Sequence, residues 1–417
     1  MKPTRYFSIV VSALLALAVA GTASALESDQ ITRADLKVMK PRHGTPPTLR
    51  NGQAHARHGI PIDTLLNWND HYFADGFDLF GNPNRHWFTN TVGVPPEQHG
   101  TTLINVPVIP VIVDLRNEDG SPRFVNGQPL VSSPQASVDL LINSPVFAFL
   151  DWSSSSIPTQ YPDAIQRASY YSRAKADWHT WLVPSVKPTR TMVLNKGTYF
   201  FVLNDDGSCC FLIIADDRAM TAALFPPTPA DTTTPMGAAI NAGDITTKDI
   251  SLFLFPNTLI SEPGFCCFAG FHNWLIQPDP AATNNEKAYV MAFVNWLSPG
   301  IFDPQFQLED ATVASHEIVE VLNDPFPGIT SGHDETPWWL APNGFCLAFL
   351  ETGDPIEFLP NSSHKVTMNG VTYHLQNHAL TPWFKREFPS SALHGAYSYP
   401  DENVITALSA PQRVNCQ

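Results

Sequence analysis

The run Ser315-His316-Glu317-Ile318-Val319-Glu320 sets an imidazole and a carboxylate four residues apart. On an α-helix that spacing stacks the two side chains one turn above each other, pointing the same way. A neutral imidazole and a carboxylate so placed can hold one divalent ion between them. Glu317, about 100° further round the helix, then reaches a water beside that ion and is the candidate general base. The pattern predicts a helix over 311–323, with Asp310 as N-cap and Pro325 marking its end. With His316 at zero, Glu320 falls near 40°, Asp324 near 80° and Glu317 near 100°, while Ala314, Ile318, Val321 and Leu322 occupy roughly 140° to 240°. One face is therefore core and the other a concentrated acidic and imidazole stripe. Between Arg218 and Lys385 the only basic residues are Lys248, Lys287 and Lys365, so a bound metal is one physical means of stabilising the stripe. A solvated polar face and a buried network without metal are the two alternatives.

A helix supplies two ligands, and a metal site needs at least a third, with water completing a catalytic set. The acidic segment Glu351-Thr352-Gly353-Asp354-Pro355-Ile356-Glu357 follows the apolar run 345–350. Glu351 and Asp354 are its preferred candidates. His333-Asp334-Glu335 lies in a Gly-flanked loop, and His374 and His378 fall on a strand pattern over 371–380. The imidazole favours zinc, whereas an oxygen-rich set would suit calcium. With zinc, water is acidified to a pKa of about 7, Glu317 takes its proton, and His374, His333 or Tyr373 is available to stabilise an oxyanion.

The elements that must position these groups read as an α+β domain over 101–417. A strand over 106–113 is interrupted by Pro110, which places it near a sheet edge. Helices are expected over 137–152 and 163–177, and a hairpin turns at Asp206-Gly207 between strands 198–203 and 209–214. Two more strands follow over 250–255 and 288–294. Residues 26–100, rich in Pro, His, Asn and Gly, read as an irregular N-terminal arm. Residues 1–25 read as a secretory signal: Lys2 and Arg5, an apolar stretch over 7–20, then Ala23-Ser24-Ala25 as cleavage site. The expected compartment is extracellular or periplasmic.

Lys and Arg number 24 against 39 Asp and Glu, a net charge of -15 that becomes -17 once Lys2 and Arg5 are removed. That surface argues against nucleic acid and anionic membranes as partners, and no run beyond the signal is long enough to span a bilayer. With 43% hydrophobic residues the chain can build a core. The six cysteines of an exported chain point to disulfides. Because adjacent cysteines rarely bond each other, Cys209-Cys210 and Cys266-Cys267 are each expected to reach outward, along with Cys346 and Cys416. Nucleophile-elbow, P-loop and dinucleotide-binding signatures are absent. The ten Trp residues are scattered, which favours core use over carbohydrate stacking.

The His316-Glu317-x-x-Glu320 helix, following an alternating strand, resembles the active-site helix of the zincin metallopeptidases, departing from it at Glu320, where the second His of their HExxH motif is expected. The stretch 315–325, with Gly270-Phe271-His272 upstream and Gly353-Asp354-Pro355 downstream, is similar to secreted proteins of the plant exordium (phosphate-induced) type over roughly 100–390. The resemblance implies a zincin-like fold, with a twisted mixed sheet packed on the active-site helix, and an extracellular location. The reading is a secreted zinc-dependent hydrolase, a peptidase acting on protein or peptide substrates, with Glu317 catalytic and His316, Glu320, Glu351 and Asp354 toward the metal. Its rivals are a non-catalytic extracellular binding or signalling protein with a structural metal, and a glycoside-cleaving enzyme using Glu317 and Glu351. Oligomeric state is left open.

Overall fold

A computed structural model of the chain describes residues 29–36, 39, 63–78, 81–281, 286–302, 304–327, 336–347 and 349–412. The signal-like segment 1–25 and the triplet His333-Asp334-Glu335 lie outside the described residues, as does Cys416.

Strands β1 (Asn67–Phe77) and β2 (Pro83–Val92) form an antiparallel hairpin. This corrects the expectation of an irregular arm for that part of the chain. Trp68, Tyr72 and Ala74 are buried on one face, but Asp70 shares that face and Phe73 is exposed on the other. These two exchanges break the apolar–polar alternation that marks a strand.

The centre of the molecule is a seven-stranded mixed sheet. Its longest strand is β3 (Thr101–Arg116), and short β4 (Val131–Ser132) pairs against its end. Two helices follow, α1 (Gln135–Ile142) and α2 (Tyr161–Ser169), both shorter than expected. Strands β5 (His179–Val186) and β6 (Arg190–Asn195) then run parallel to successive halves of β3. So β3 is central, not an edge strand. Pro110 is tolerated because it sits at the changeover, after β5 stops pairing at Val108 and before β6 starts at Val111.

The hairpin partners β7 (Tyr199–Val202) and β8 (Leu212–Asp216) pair as expected and open a second, four-stranded sheet. Helices α3 (Asp217–Leu224) and α4 (Pro235–Ala242) come next. Strand β9 (Ile250–Pro256) returns to the large sheet beside β3, while β10 (Thr258–Glu262) and β11 (Phe265–Phe268) complete the small one. Strands β12 (Phe271–Pro278) and β13 (Glu286–Trp296) close the large sheet, β13 parallel to β9 and β12 antiparallel at the margin.

Both faces of this sheet are covered, which explains why β9, apolar apart from Ser251, is buried at every position. Leu252, Leu254, Val290, Ala292 and Val294 point to one side and join the core cluster of helix α5 (Thr312–Asn323). Phe253, Phe255, Met291 and Phe293 point to the other, toward β7, β8, α3 and α4. The architecture is thus α+β, with a mixed sheet packed on α5 as expected. Helix α5 also touches α2, β12 and β15 (Val371–Gln376), which pairs with β14 (Ser363–Met368). No helix among the described residues is long and apolar enough to cross a membrane.

The paired cysteines bond within each pair, Cys209 to Cys210 and Cys266 to Cys267. The expectation that each reaches outward is overturned. Both vicinal peptide bonds are cis, the geometry that brings neighbouring sulfurs together.

Candidate metal centre

Helix α5 is buried along its whole length, polar stripe included, so the solvated-face alternative falls away. Its start differs from the sequence reading. Asp310 takes a positive φ of 39° and, rather than capping the helix, accepts hydrogen bonds from the Ala311 and His374 backbone N–H groups. His374 places Nδ1 2.6 Å from Asp310 and Nε2 3.1 Å from Glu309. These three form a separate group at the head of the helix.

Four elements converge on the stripe. His316 Nε2 is 3.0 Å from Glu320 Oε2, the contact that the four-residue spacing foretold. It is also 3.5 Å from Asp354 Oδ1, in a short 3-10 turn over Asp354–Ile356. From β12, His272 brings Nδ1 to 3.3 Å from Glu317 Oε2 and 3.5 Å from Glu320 Oε2. His272, Glu317 and Glu320 form one donor group and His316, Glu320 and Asp354 another, with Glu320 shared. Of the preferred third ligands, Asp354 is brought to the centre. Glu351 is buried and its charge acts on Glu317, yet it belongs to neither group. His378 is buried, with its ring centroid 6.1 Å from that of His316, and its Nδ1 contacts Thr352 at 3.0 Å.

His272 was named in the sequence without a ligand role. Its placement follows from alternation: Trp274, two residues on, lies in the α5 cluster, and Phe271 lies in the opposite one. Which face would meet α5 is not visible in the sequence.

The surroundings hold the donors tightly. Gly353 N–H donates to Glu320 Oε1 at 2.8 Å, and Gly353 O accepts from Gln376 Nε2 at 3.0 Å. The Gln376 N–H in turn donates to Ser315 Oγ at 2.9 Å, tying β15 to α5. Asn343 Nδ2 donates to the Asp354 carbonyl at 2.6 Å. Two glycines leave the room that is needed. A Cβ on Gly353 would lie 2.4 Å from His316 Nδ1, and one on Gly270 would lie 2.5 Å from Glu317 Oε1.

The donor group could hold a cation. His272 Nε2 must donate to the Asp324 carbonyl at 2.9 Å, because a carbonyl only accepts. Its Nδ1 then turns a lone pair toward the Glu317 and Glu320 carboxylates unless a proton or a metal ion lies between. A ring N–H fixed by a backbone carbonyl is also the usual outer partner of a metal-ligating histidine. Burial pushes the Glu317 carboxyl well above its ordinary value; His316 opposes this, and the charges of Glu320, Asp354 and Glu351 add to it. Burial likewise raises Glu320, against His316. For His316, burial disfavours the charged ring, but Glu320, Asp354 and Glu317 outweigh it and hold the imidazole well above its usual range. Buried carboxylates at this density are costly without a counter-charge. Within the His316, Glu320 and Asp354 group, the separations of 3.0 and 3.5 Å from His316 Nε2 lie either side of the ~3.3 Å edge of a tetrahedron with zinc–nitrogen bonds of about 2.0–2.1 Å.

No known protein family, curated protein or solved structure matches the chain. The reading of the centre therefore rests on its own geometry.

Proposed function

We propose that the chain is an exported metalloprotein whose centre binds one zinc ion through His316, Glu320 and Asp354, with His272 facing the shared Glu320 from the other side, and that it hydrolyses peptide bonds. The observation that carries the metal is the convergence of His316, Glu320 and Asp354 in one buried group, with His316 Nε2 3.0 Å and 3.5 Å from the two carboxylates. The imidazole in the donor set favours zinc over calcium. When bound, such an ion supplies Lewis acidity, acidifying water to a pKa of about 7 and polarising a carbonyl. Glu317, beside the donors but next to His316 in sequence, supports the hydrolytic part. Its carboxylate takes the proton from water and passes it to the leaving amine. Placement of the helix beneath a mixed sheet supports a zincin-like arrangement, and the sequence of residues 1–25 supports export.

Complete burial of His316, Glu317 and Glu320 favours a second reading, in which the ion is structural and the protein binds or signals without turnover. Zinc-loaded protein tested on a fluorogenic peptide library separates the two. Chelator-sensitive cleavage, lost in Glu317→Gln with zinc retained, supports the peptidase. Zinc that raises Tm without any cleavage supports the second reading.

A further inference from the structure

A cleft of about 310 Å3 opens at the carboxyl ends of the parallel strands β9 and β13, away from the donors on α5. In sheets with parallel strands this is where ligands settle, beside the point at which strand order reverses. Here β3 connects to β5 and β6 on one side and to β9 on the other, and the cleft is lined from both directions. It is lined by Pro256, Asn257, Trp296 and Ser298 past the strand ends, by Ser133, Ser137 and Leu140 around the start of α1, and by Asn204 and Cys209-Cys210 of the β7–β8 turn.

Every lining side chain is uncharged, on a protein with a net charge of -15. The polar groups are hydroxyls and amides. One wall is preset: Asn257 Nδ2 donates to Ser298 Oγ at 3.0 Å, and Ser298 N–H donates back to Asn257 Oδ1 at 2.8 Å. Asn204, across the cleft, is held by its Nδ2 donating to Ser208 Oγ at 3.1 Å. Two apolar surfaces accompany them: the half-buried indole of Trp296 and the polarisable Cys209–Cys210 disulfide. A ligand matching this lining carries many hydroxyls, no charge and an apolar C–H face. The volume lies at the small end of ligand sites.

We infer that this cleft binds a neutral saccharide of one or two rings, with a sugar face against Trp296 and the vicinal disulfide and its hydroxyls on Asn257, Ser298 and Asn204. The site is independent of the metal centre. The test is titration of full-length protein with a panel of neutral mono- and disaccharides, followed by calorimetry and Trp fluorescence, with glucuronic acid and glucosamine as charged controls. Saturable binding of a neutral sugar is expected, unchanged by chelator and weakened about tenfold or more in Trp296→Ala. Asn257→Ala, whose folding is checked by its melting curve, should weaken it in the same direction. No saturable binding by any neutral sugar, binding that chelator abolishes, or equal affinity in both variants would overturn the proposal.

Discussion

Replacing Gly353 by Ala tests the packing of the centre with one methyl group. Gly353 has φ -81° and ψ -35°, a conformation any residue adopts. By backbone alone, Ala should stabilise the chain by about 0.4–1 kcal/mol, through a less flexible unfolded state. The local contact predicts the opposite sign. The new Cβ would lie 2.4 Å from Nδ1 and 2.5 Å from Cε1 of His316, about 1 Å inside normal van der Waals separation. His316 is fully buried, so the ring or the 353 backbone must shift. Overpacking of this kind costs about 1–3 kcal/mol, leaving a net loss of roughly 0–2.6 kcal/mol. The shift also moves His316 Nε2 relative to Glu320 and Asp354, and weakens the Gly353 N–H bond to Glu320 Oε1. Loss of such an outer partner weakens metal binding about 10- to 100-fold. Urea unfolding of metal-free protein and competitive zinc titration read the two effects separately. A variant as stable as the parent, with unchanged zinc affinity, would refute this packing of His316.

Gly270→Ala should act alike through Glu317, because its Cβ meets Oε1 at 2.5 Å; if the peptidase reading holds, turnover falls more than zinc affinity, as steady-state kinetics beside zinc titration will show. His272→Ala should lower zinc affinity about tenfold, because His272 faces the shared Glu320 at 3.5 Å although it lies 44 positions from His316 in sequence; equal affinity would detach it from the centre. Acid stability should depend on Asp29, whose carboxyl is held below its ordinary value by hydrogen bonding to Arg123. A lowered folded pKa gives stability that is present above the unfolded value of about 3.9 and lost as pH falls through the folded one. Asp29→Asn should therefore cost about 1 kcal/mol at neutral pH and nothing once both states are protonated, measured by urea unfolding across pH.

The parts of the site that share one helix were legible in the sequence, because helical spacing alone decides that His316 and Glu320 meet. Asp354 was within reach as a nearby acidic segment, though nothing local separated it from Glu351, since the turn of 353–356 decides which carboxylate points inward. His272 was not legible as a donor: alternation gives its face, but only the stacking of β12 over α5 gives that face a meaning. Strands β9 and β13 were legible in the sequence over 250–255 and 288–294. Centrality of β3 was missed because Pro110 argues for an edge, and the handover from β5 to β6 is a tertiary fact. The vicinal disulfides were missed for a similar reason, as local preference speaks against bonds between neighbours and the fold overrides it.

Metal content of the purified protein tests the central claim most directly. Elemental analysis of the parent and of His316→Ala, after dialysis against trace zinc, should give about one zinc per chain in the parent and none in the variant. A parent without stoichiometric zinc, or a variant that retains it, contradicts the account of the α5 centre.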